Sequence, residues 1–309
     1  TNMSLGLINL GIKEGEHICI IGRNRPHLYW SIIAAQNVGA IPTPLYQDSV
    51  AQEMIFPISH CSAKMAIVEN QEQVDKLLEI KKDITSLKNI IYLDPRGLRN
   101  YKKNNLYSLN DVFTLKNIEN VSKLQTELKN RQSKQNLDTK SILLYTSGTT
   151  GRSKGVVLSN RNVIESGKAG IVFDNINSDF SLICYLPMAW VGDFAFSMGL
   201  GLQSGMCICC PESSETLHDD MREIGPSYFF GPPRFFESLL TSVNLKIDDA
   251  SSVKRKLFDY FMSIAKENGE KILENKSVGL VNRIKYFFGE LFIYGPLKNR
   301  MGPVSYTHL

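Results

Sequence analysis

The chain has 309 residues, of which 43% are hydrophobic and 21% charged, and its formal net charge is +4. That balance fits a soluble globular protein with one large domain or two to three smaller ones. It excludes the concentrated basic surface of a nucleic-acid binder.

Thr1 is not an initiator, and "TNMSLGLINLGIKEGE" opens as though midway through a helix, so a piece of a longer chain is expected. The stretch "GIKEGEHICIIGRNRPHLYWSIIAAQNVGAIPTPLY" predicts a strand over His17–Ile21 and then a helix. Leu28, Ile32, Ile33, Ala35 and Val38 fall near helical spacing, and Gly39 is placed to end that helix. Ile41–Leu45 reads as a second extended run despite prolines at 42 and 44. "VAQEMIFPISHCSA" then reads as a helix, and "KMAIVE" and "KNIIYLD" as strands. Strands alternating with helices imply an α/β fold with a largely parallel sheet.

From Pro95 to Lys140 the chain turns lysine- and asparagine-rich with sparse apolar positions, which predicts a polar connector carrying a solvated helix. A helix is expected near Asn162, with Glu165 three residues on as in a capping box. "SLICYLPMAW" reads as a strand entering a loop, "DFAFSMGLGLQSG" as an apolar helix and "MCICC" as a strand. "REIGPSYFFGPPRFFESLL" holds a short strand, a proline turn and a helix. Beyond it Val253, Leu257, Phe261 and Ile264 make one helical stripe. Lys254, Arg255 and Lys256 beside that stripe offer a peripheral contact to anionic lipid, a solvated helix face being the plainer reading.

Several patterns invite chemistry that their context rejects. Three of the six cysteines crowd into "MCICCPE", but the C-x-C-C spacing has no histidine nearby and alternates as a buried strand would, so no metal is expected there. With no signal peptide visible, reduced thiols in the cytoplasm are the expectation. Residues 194 to 210 carry no charge, and Gly201 and Gly205 form G-x-x-x-G, yet the run is at the short edge for spanning a bilayer. Gly151-Arg152-Ser153-Lys154-Gly155 spells G-x-S-x-G, the serine-hydrolase nucleophile elbow. That elbow needs a strand running straight into the glycine and a helix straight after. Here polar residues and glycine intervene, and "VVLS" follows in strand-like character.

The same stretch, "YTSGTTGRSKGVV" over residues 145–157, places five serine and threonine hydroxyls, three glycines and a lysine between apolar runs. Glycines let backbone N–H groups converge on an anion, hydroxyls add donors and a lysine supplies a point charge. The order differs from G-x-x-x-x-G-K-[ST], so a phosphate cradle of another kind is predicted, at the tip between two strands.

"LLYTSGTTGRSKGVVLSNRNV" resembles the signature of the adenylate-forming superfamily of acyl-CoA synthetases, luciferases and peptide-synthetase adenylation domains, whose usual form is T-S-G-T-T-G-x-P-K-G. Ser153 stands where proline is common. The amino-terminal stretch through Tyr46 resembles that of long-chain acyl-CoA synthetases, "YLPMAW" their L-P-L-x-H segment and "GPPRFFESL" their V-P-R-x-x-E segment. The resemblance runs from about residue 6 to 302. It implies the amino-terminal part of the adenylate-forming fold, largely parallel sheets flanked by helices, cut before the carboxy-terminal domain.

The resemblance also implies a mechanism with ATP, Mg2+ and coenzyme A. A fatty-acid carboxylate attacks the α-phosphate, pyrophosphate leaves, and the thiol of coenzyme A displaces AMP. Thr146, Ser147, Gly148, Thr149, Thr150, Gly151 and Lys154 would hold the β- and γ-phosphates, with Thr146 and Lys154 taking catalytic parts. Trp190, where many relatives carry histidine, and Gly231, Pro232 and Pro233 would line the acyl site, and no metal-ligating residue is assigned. Arg234 and Glu237 could instead form a structural pair at a helix start. The family's later Y-G-x-T-E motif, ribose-binding aspartate and distal lysine are not found, and "PVSYTHL" after Gly302 does not fit. Residues 1–302 are therefore expected to be a partial AMP-binding domain with 303–309 a non-family tail. The alternative is a non-catalytic half-domain that only binds nucleotide or a partner.

Overall fold

The computed structural model describes residues 1–300 apart from 103, 116–119, 147–152 and 275, and apart from the side chains of Glu270, Leu273 and Arg300. The chain divides into two compact units, one of residues 1–178 with 184–210, the other of 179–183 with the residues from 211 onward.

The first unit opens α1 (Asn2–Asn9), β1 (His17–Ile21), α2 (Pro26–Asn37), β2 (Ile41–Leu45), α3 (Ala51–His60), β3 (Met65–Val68), α4 (Gln71–Glu79) and β4 (Asn89–Tyr92). Within the lysine- and asparagine-rich stretch lie β5 (Leu106–Ser108), α5 (Leu109–Phe113) and α6 (Val121–Ser133). Strands β1 to β5 form one sheet in the order β2-β1-β3-β4-β5, and every neighbouring pair is parallel. Gly39 ends α2 with φ at +74°, a left-handed conformation that costs glycine little, and the chain turns back into β2.

Side-chain alternation explains why these short apolar runs are strands. Cys19, Ile21, Ala66, Val68 and Ile90 face a core shared with Met54 and Ile58 of α3 and Val74 and Leu77 of α4. The alternate residues Ile18, Ile20, Ile67 and Ile91 are buried as fully, and α2 packs against β1 and β3. A sheet covered on both faces reads as continuous apolar sequence. Ile67→Ala is expected to destabilise this unit by about 2–5 kcal/mol through the cavity it leaves. A urea melt with an unchanged midpoint would contradict that placement.

The sheet tolerates prolines in β2 because that strand is its edge. The Ile41 N–H donates to the Glu16 carbonyl at 2.8 Å, on the β1 side. Pro42 and Pro44, one residue out of phase, lack N–H groups only on the outer side.

The unit continues with the antiparallel pair β6 (Lys140–Thr146) and β7 (Lys154–Ser159), then α7 (Asn160–Phe173). Ser159 caps α7, its side chain accepting from the Asn162 N–H while Asn162 Oδ1 accepts from the Ser159 N–H at 2.9 Å. The capping box thus lies one turn earlier than the Asn162 and Glu165 spacing predicts. After β8 (Ser181–Ile183), which belongs to the second unit, the first unit resumes with α8 (Val191–Phe194), a π-helical stretch over Ala195–Gly201, α9 (Leu202–Ser204) and β9 (Cys207–Cys209). The apolar helix expected here is therefore broken into segments. The cysteine run is not a wholly buried strand either, because Cys207 is exposed and Cys209 and Cys210 are partly so.

The second unit is helical: α10 (Leu217–Ile224), α11 (Pro233–Asp248), α12 (Ser252–Leu273), α13 (Leu280–Gly289), a π-helical turn over Glu290–Tyr294 and α14 (Gly295–Arg300). Phe261, Ile264 and Tyr294 form its small core, with the Tyr294 hydroxyl donating to the Phe261 carbonyl. Of the predicted α12 stripe, Phe261 and Ile264 are buried while Val253 and Leu257 are exposed. No helix among the described residues is long and apolar enough to cross a membrane.

Candidate active site

The glycine- and hydroxyl-rich loop joins β6 to β7, as the tip of a hairpin. Ser147, Gly148, Thr149, Thr150 and Gly151 lie outside the described residues, while Thr146 and Lys154 form the last pair of the stem. They stand directly opposite one another, and the Thr146 hydroxyl donates to the Lys154 carbonyl at 3.4 Å. Both residues are exposed. Ser153 is followed at once by strand β7, so the helix that a nucleophile elbow needs is absent at this position.

Below the tip the stem is anchored. Ile142, Leu143, Leu144 and Tyr145 are buried, whereas Val156 and Val157 on β7 are half exposed. The Tyr145 hydroxyl donates to the Pro57 carbonyl at 3.1 Å and lies 2.8 Å from His60 Nδ1, both on α3. Phe56 stacks on His60 at 5.2 Å and meets Tyr145 edge-on. Burial, then the Cys61 and Cys19 thiols, push the Tyr145 hydroxyl well above its ordinary range, so it remains a donor. Beside the stem opens a cavity of about 420 Å³ bounded by Leu45, Tyr46, Glu53, Phe56, Thr146 and Ser153 among others. Its polar lining includes the Thr146 and Ser153 side chains and the Glu53 carboxylate, and Lys154 is not among the residues that bound it.

A second polar cluster sits at the carboxyl end of β1. Glu69, which follows β3, is buried, yet it accepts from the Arg23 N–H at 2.7 Å and from Arg25 Nε at 3.0 Å. Burial pushes its carboxyl upward, but the Arg23 backbone and side chain together with Arg25 outweigh that and hold it below the usual carboxylate range. Sequence reasoning assigned these residues nothing, because Glu69 and Arg23 are 46 positions apart.

Trp190 belongs to the first unit, at the start of α8, with its N–H donating to the Pro187 carbonyl at 2.8 Å. Its ring lies over the backbone of Gly192, where any Cβ would overlap it. That is the physical reason for glycine at this position. Gly231, Pro232 and Pro233 belong to the second unit. Pro233 is the first residue of α11, and the turn is packed by Phe229, Phe235 and Phe236, with Phe229 and Phe235 centroids 4.9 Å apart. No ion pair joins Arg234 to Glu237 among the described residues, so the pairing offered for them is absent. Groups of three or more His, Cys, Asp or Glu able to hold a metal ion are likewise absent among the described residues.

A family model described as AMP-binding enzyme matches residues 1–275. The chain belongs to that family. Among curated relatives, this AMP-binding chain is 27% identical over 270 residues to long-chain-fatty-acid–CoA ligase ACSBG1 of Rattus norvegicus, covering 85% of the chain and 36% of the relative. It is 26% identical over 304 residues to human long-chain-fatty-acid–CoA ligase ACSBG2, covering 96% of the chain and 44% of the relative. The chain thus spans less than half the length of these curated relatives. A solved long-chain-fatty-acid–CoA ligase (FadD1) from Archaeoglobus fulgidus superposes with a TM-score of 0.62 at 19% identity, over 81% of this chain and 45% of that one. At that identity the likeness is one of fold, and it places the parallel sheet and its flanking helices within the adenylate-forming architecture.

Proposed function

We propose that this chain is the amino-terminal part of an ATP-dependent long-chain fatty acid–CoA ligase and supplies its phosphate-binding hairpin. The observation that carries the reading is the stem pair, Thr146 facing Lys154, which puts a hydroxyl and a cation on either side of a glycine-rich tip. In the first step a carboxylate oxygen bonds to the α-phosphorus as the bond to pyrophosphate breaks. In the second the coenzyme A thiol bonds to the acyl carbon and AMP leaves with the electron pair. Negative charge grows on the departing pyrophosphate, and Lys154, the Thr146 hydroxyl and the tip residues 147–151 stabilise it there.

Mg2+ arrives on the ATP polyphosphate, whose charge it screens. The described residues offer it the Thr146 hydroxyl and no carboxylate cage, so no step is routed through it. Trp190 supplies an apolar wall for the acyl chain within the first unit. The single experiment is a thioester assay on the longer protein with ATP, coenzyme A and either palmitate or acetate. Palmitate is expected to be preferred by orders of magnitude, since each buried methylene contributes about 0.8 kcal/mol. Equal turnover of the two acids would overturn the long-chain reading.

A further inference from the structure

A buried polar cluster of the first unit holds the chain on either side of Trp190 in sequence, and the reaction chemistry leaves it unused. Asp193 is only 3% exposed and sits three residues after Trp190, in α8. Its carboxylate accepts from the Tyr29 hydroxyl at 2.7 Å through one oxygen and from Asn24 Nδ2 at 3.1 Å through the other. Asn24 Nδ2 also donates to the Leu186 carbonyl at 2.9 Å and reaches the Tyr29 hydroxyl at 2.7 Å. An amide has two N–H groups, so one of them is shared between two of these three acceptors. The Ser197 hydroxyl donates to the Asp193 carbonyl at 2.6 Å. Among the described residues no Lys or Arg pairs with Asp193, which leaves these neutral donors as its compensation.

The geometry matters because of what it brackets. Asn24 holds the segment at Leu186, and Tyr29 with Asn24 holds it at Asp193. Between the two anchors the Trp190 ring folds over Gly192. A side chain this constrained takes its direction from the backbone on both sides of it. Charged groups buried with only hydrogen-bond compensation are costly, so the arrangement is one that a purely apolar contact would replace with a gain in stability.

We infer that Asp193, with Asn24 and Tyr29, is a positioning residue that aims the Trp190 ring and thereby sets the acyl chain-length preference. The inference rests on the acyl-wall reading of Trp190 given above. Asp193 touches neither substrate nor reacting atoms; it acts through the tryptophan. Loss of either donor leaves a buried carboxylate half satisfied, which frees the segment without removing the ring.

The test uses the longer protein in a Trp30→Phe background, which leaves Trp190 as the single tryptophan of this chain, with any others beyond it replaced too. Tyr29→Phe and Asp193→Asn are expected to raise acrylamide quenching of Trp190 several-fold. They should also raise KM for palmitate about tenfold while kcat and KM for ATP hold nearly steady, the signature of lost ground-state binding. Gly192→Ala, which displaces the ring and leaves the three polar partners in place, is expected to reproduce the rise in palmitate KM without loss of their hydrogen bonds. Circular dichroism on each variant confirms that the fold persists. Unchanged quenching in both polar variants would overturn the proposal, and so would an unchanged palmitate KM despite increased quenching. Failure of the unmutated protein to form any thioester would instead sink the ligase reading, and the quenching arm would still decide whether Asp193 positions Trp190.

Discussion

Lys154→Ala is expected to slow fatty-acid-dependent ATP–pyrophosphate exchange by about 10²–10³-fold in the longer protein, the loss typical of one preorganised donor to developing charge. The fold should not notice. Lys154 is exposed at the first position of β7 and makes no ion pair among the described residues, so its removal orphans no buried partner. Surface changes of that kind usually stay within about 0.5 kcal/mol. Ser153→Ala should stay within a few-fold of the parent, because strand β7 and not a catalytic helix follows it. Exchange by Lys154→Ala close to the parent rate, with the melting temperature unchanged, would remove Lys154 from the phosphate site.

The second large effect is on stability. Burial raises the Asp193 carboxyl from its ordinary 3.8 to about 7, with the Tyr29 and Asn24 donors pulling partly the other way. Tyr29 from α2 and the Cys184 and Cys210 thiols are the titratable groups around it. A folded-state pKa above the unfolded one means that the folded chain holds the proton longer. The Asp193 contribution to stability is then most favourable below pH 4 and is lost as pH climbs through 7. Each pH unit in that window is worth about 1.4 kcal/mol, so the loss between pH 4 and 8 is on the order of 4 kcal/mol. Glu69 acts in a different window: its lowered pKa contributes stability that disappears only as pH falls below the ordinary carboxylate range. Asp193→Asn should flatten the upper slope and leave the acid limb alone. A parent and variant whose melting temperatures run parallel from pH 4.5 to 8 would contradict the assignment.

Much of this was readable in the sequence, and the boundary is instructive. Strand β1, helix α2 and strand β2 follow from local pattern, since their apolar residues recur at strand or helix spacing and Gly39 marks a turn that needs positive φ. The β6–β7 hairpin stem is equally legible because both strands lie within twenty consecutive residues. What stayed hidden is non-local. Asp193 bonds to residues 164 and 169 positions away, and His60 meets Tyr145 across 85. Arg131 looks like one more charge in a polar stretch, yet it is buried and donates to the carbonyls of Ile12 and Val38, which fastens α6 to the ends of α1 and α2. Burial of a polar side chain depends on partners that arrive from elsewhere in the fold, and spacing along one element carries no trace of them. The π-helical stretch after α8 is similar: its composition is that of an ordinary apolar helix.

The prolines of β2 have a mechanical consequence. β6 packs alongside β2, yet the two belong to separate sheets, since the outward-facing positions 42 and 44 have no N–H to offer. The seam between them is therefore a slip plane, crossed by no ladder. The hairpin is tied to the helices that flank the five-stranded sheet by side-chain rivets, Gln36 of α2 on Ser141 at 2.9 Å and His60 of α3 on Tyr145 at 2.8 Å. Such rivets yield one at a time, whereas a ladder must break in concert. Displacing the β6–β7 hairpin from the sheet would therefore cost apolar contacts and single side-chain bonds, and no strand ladder.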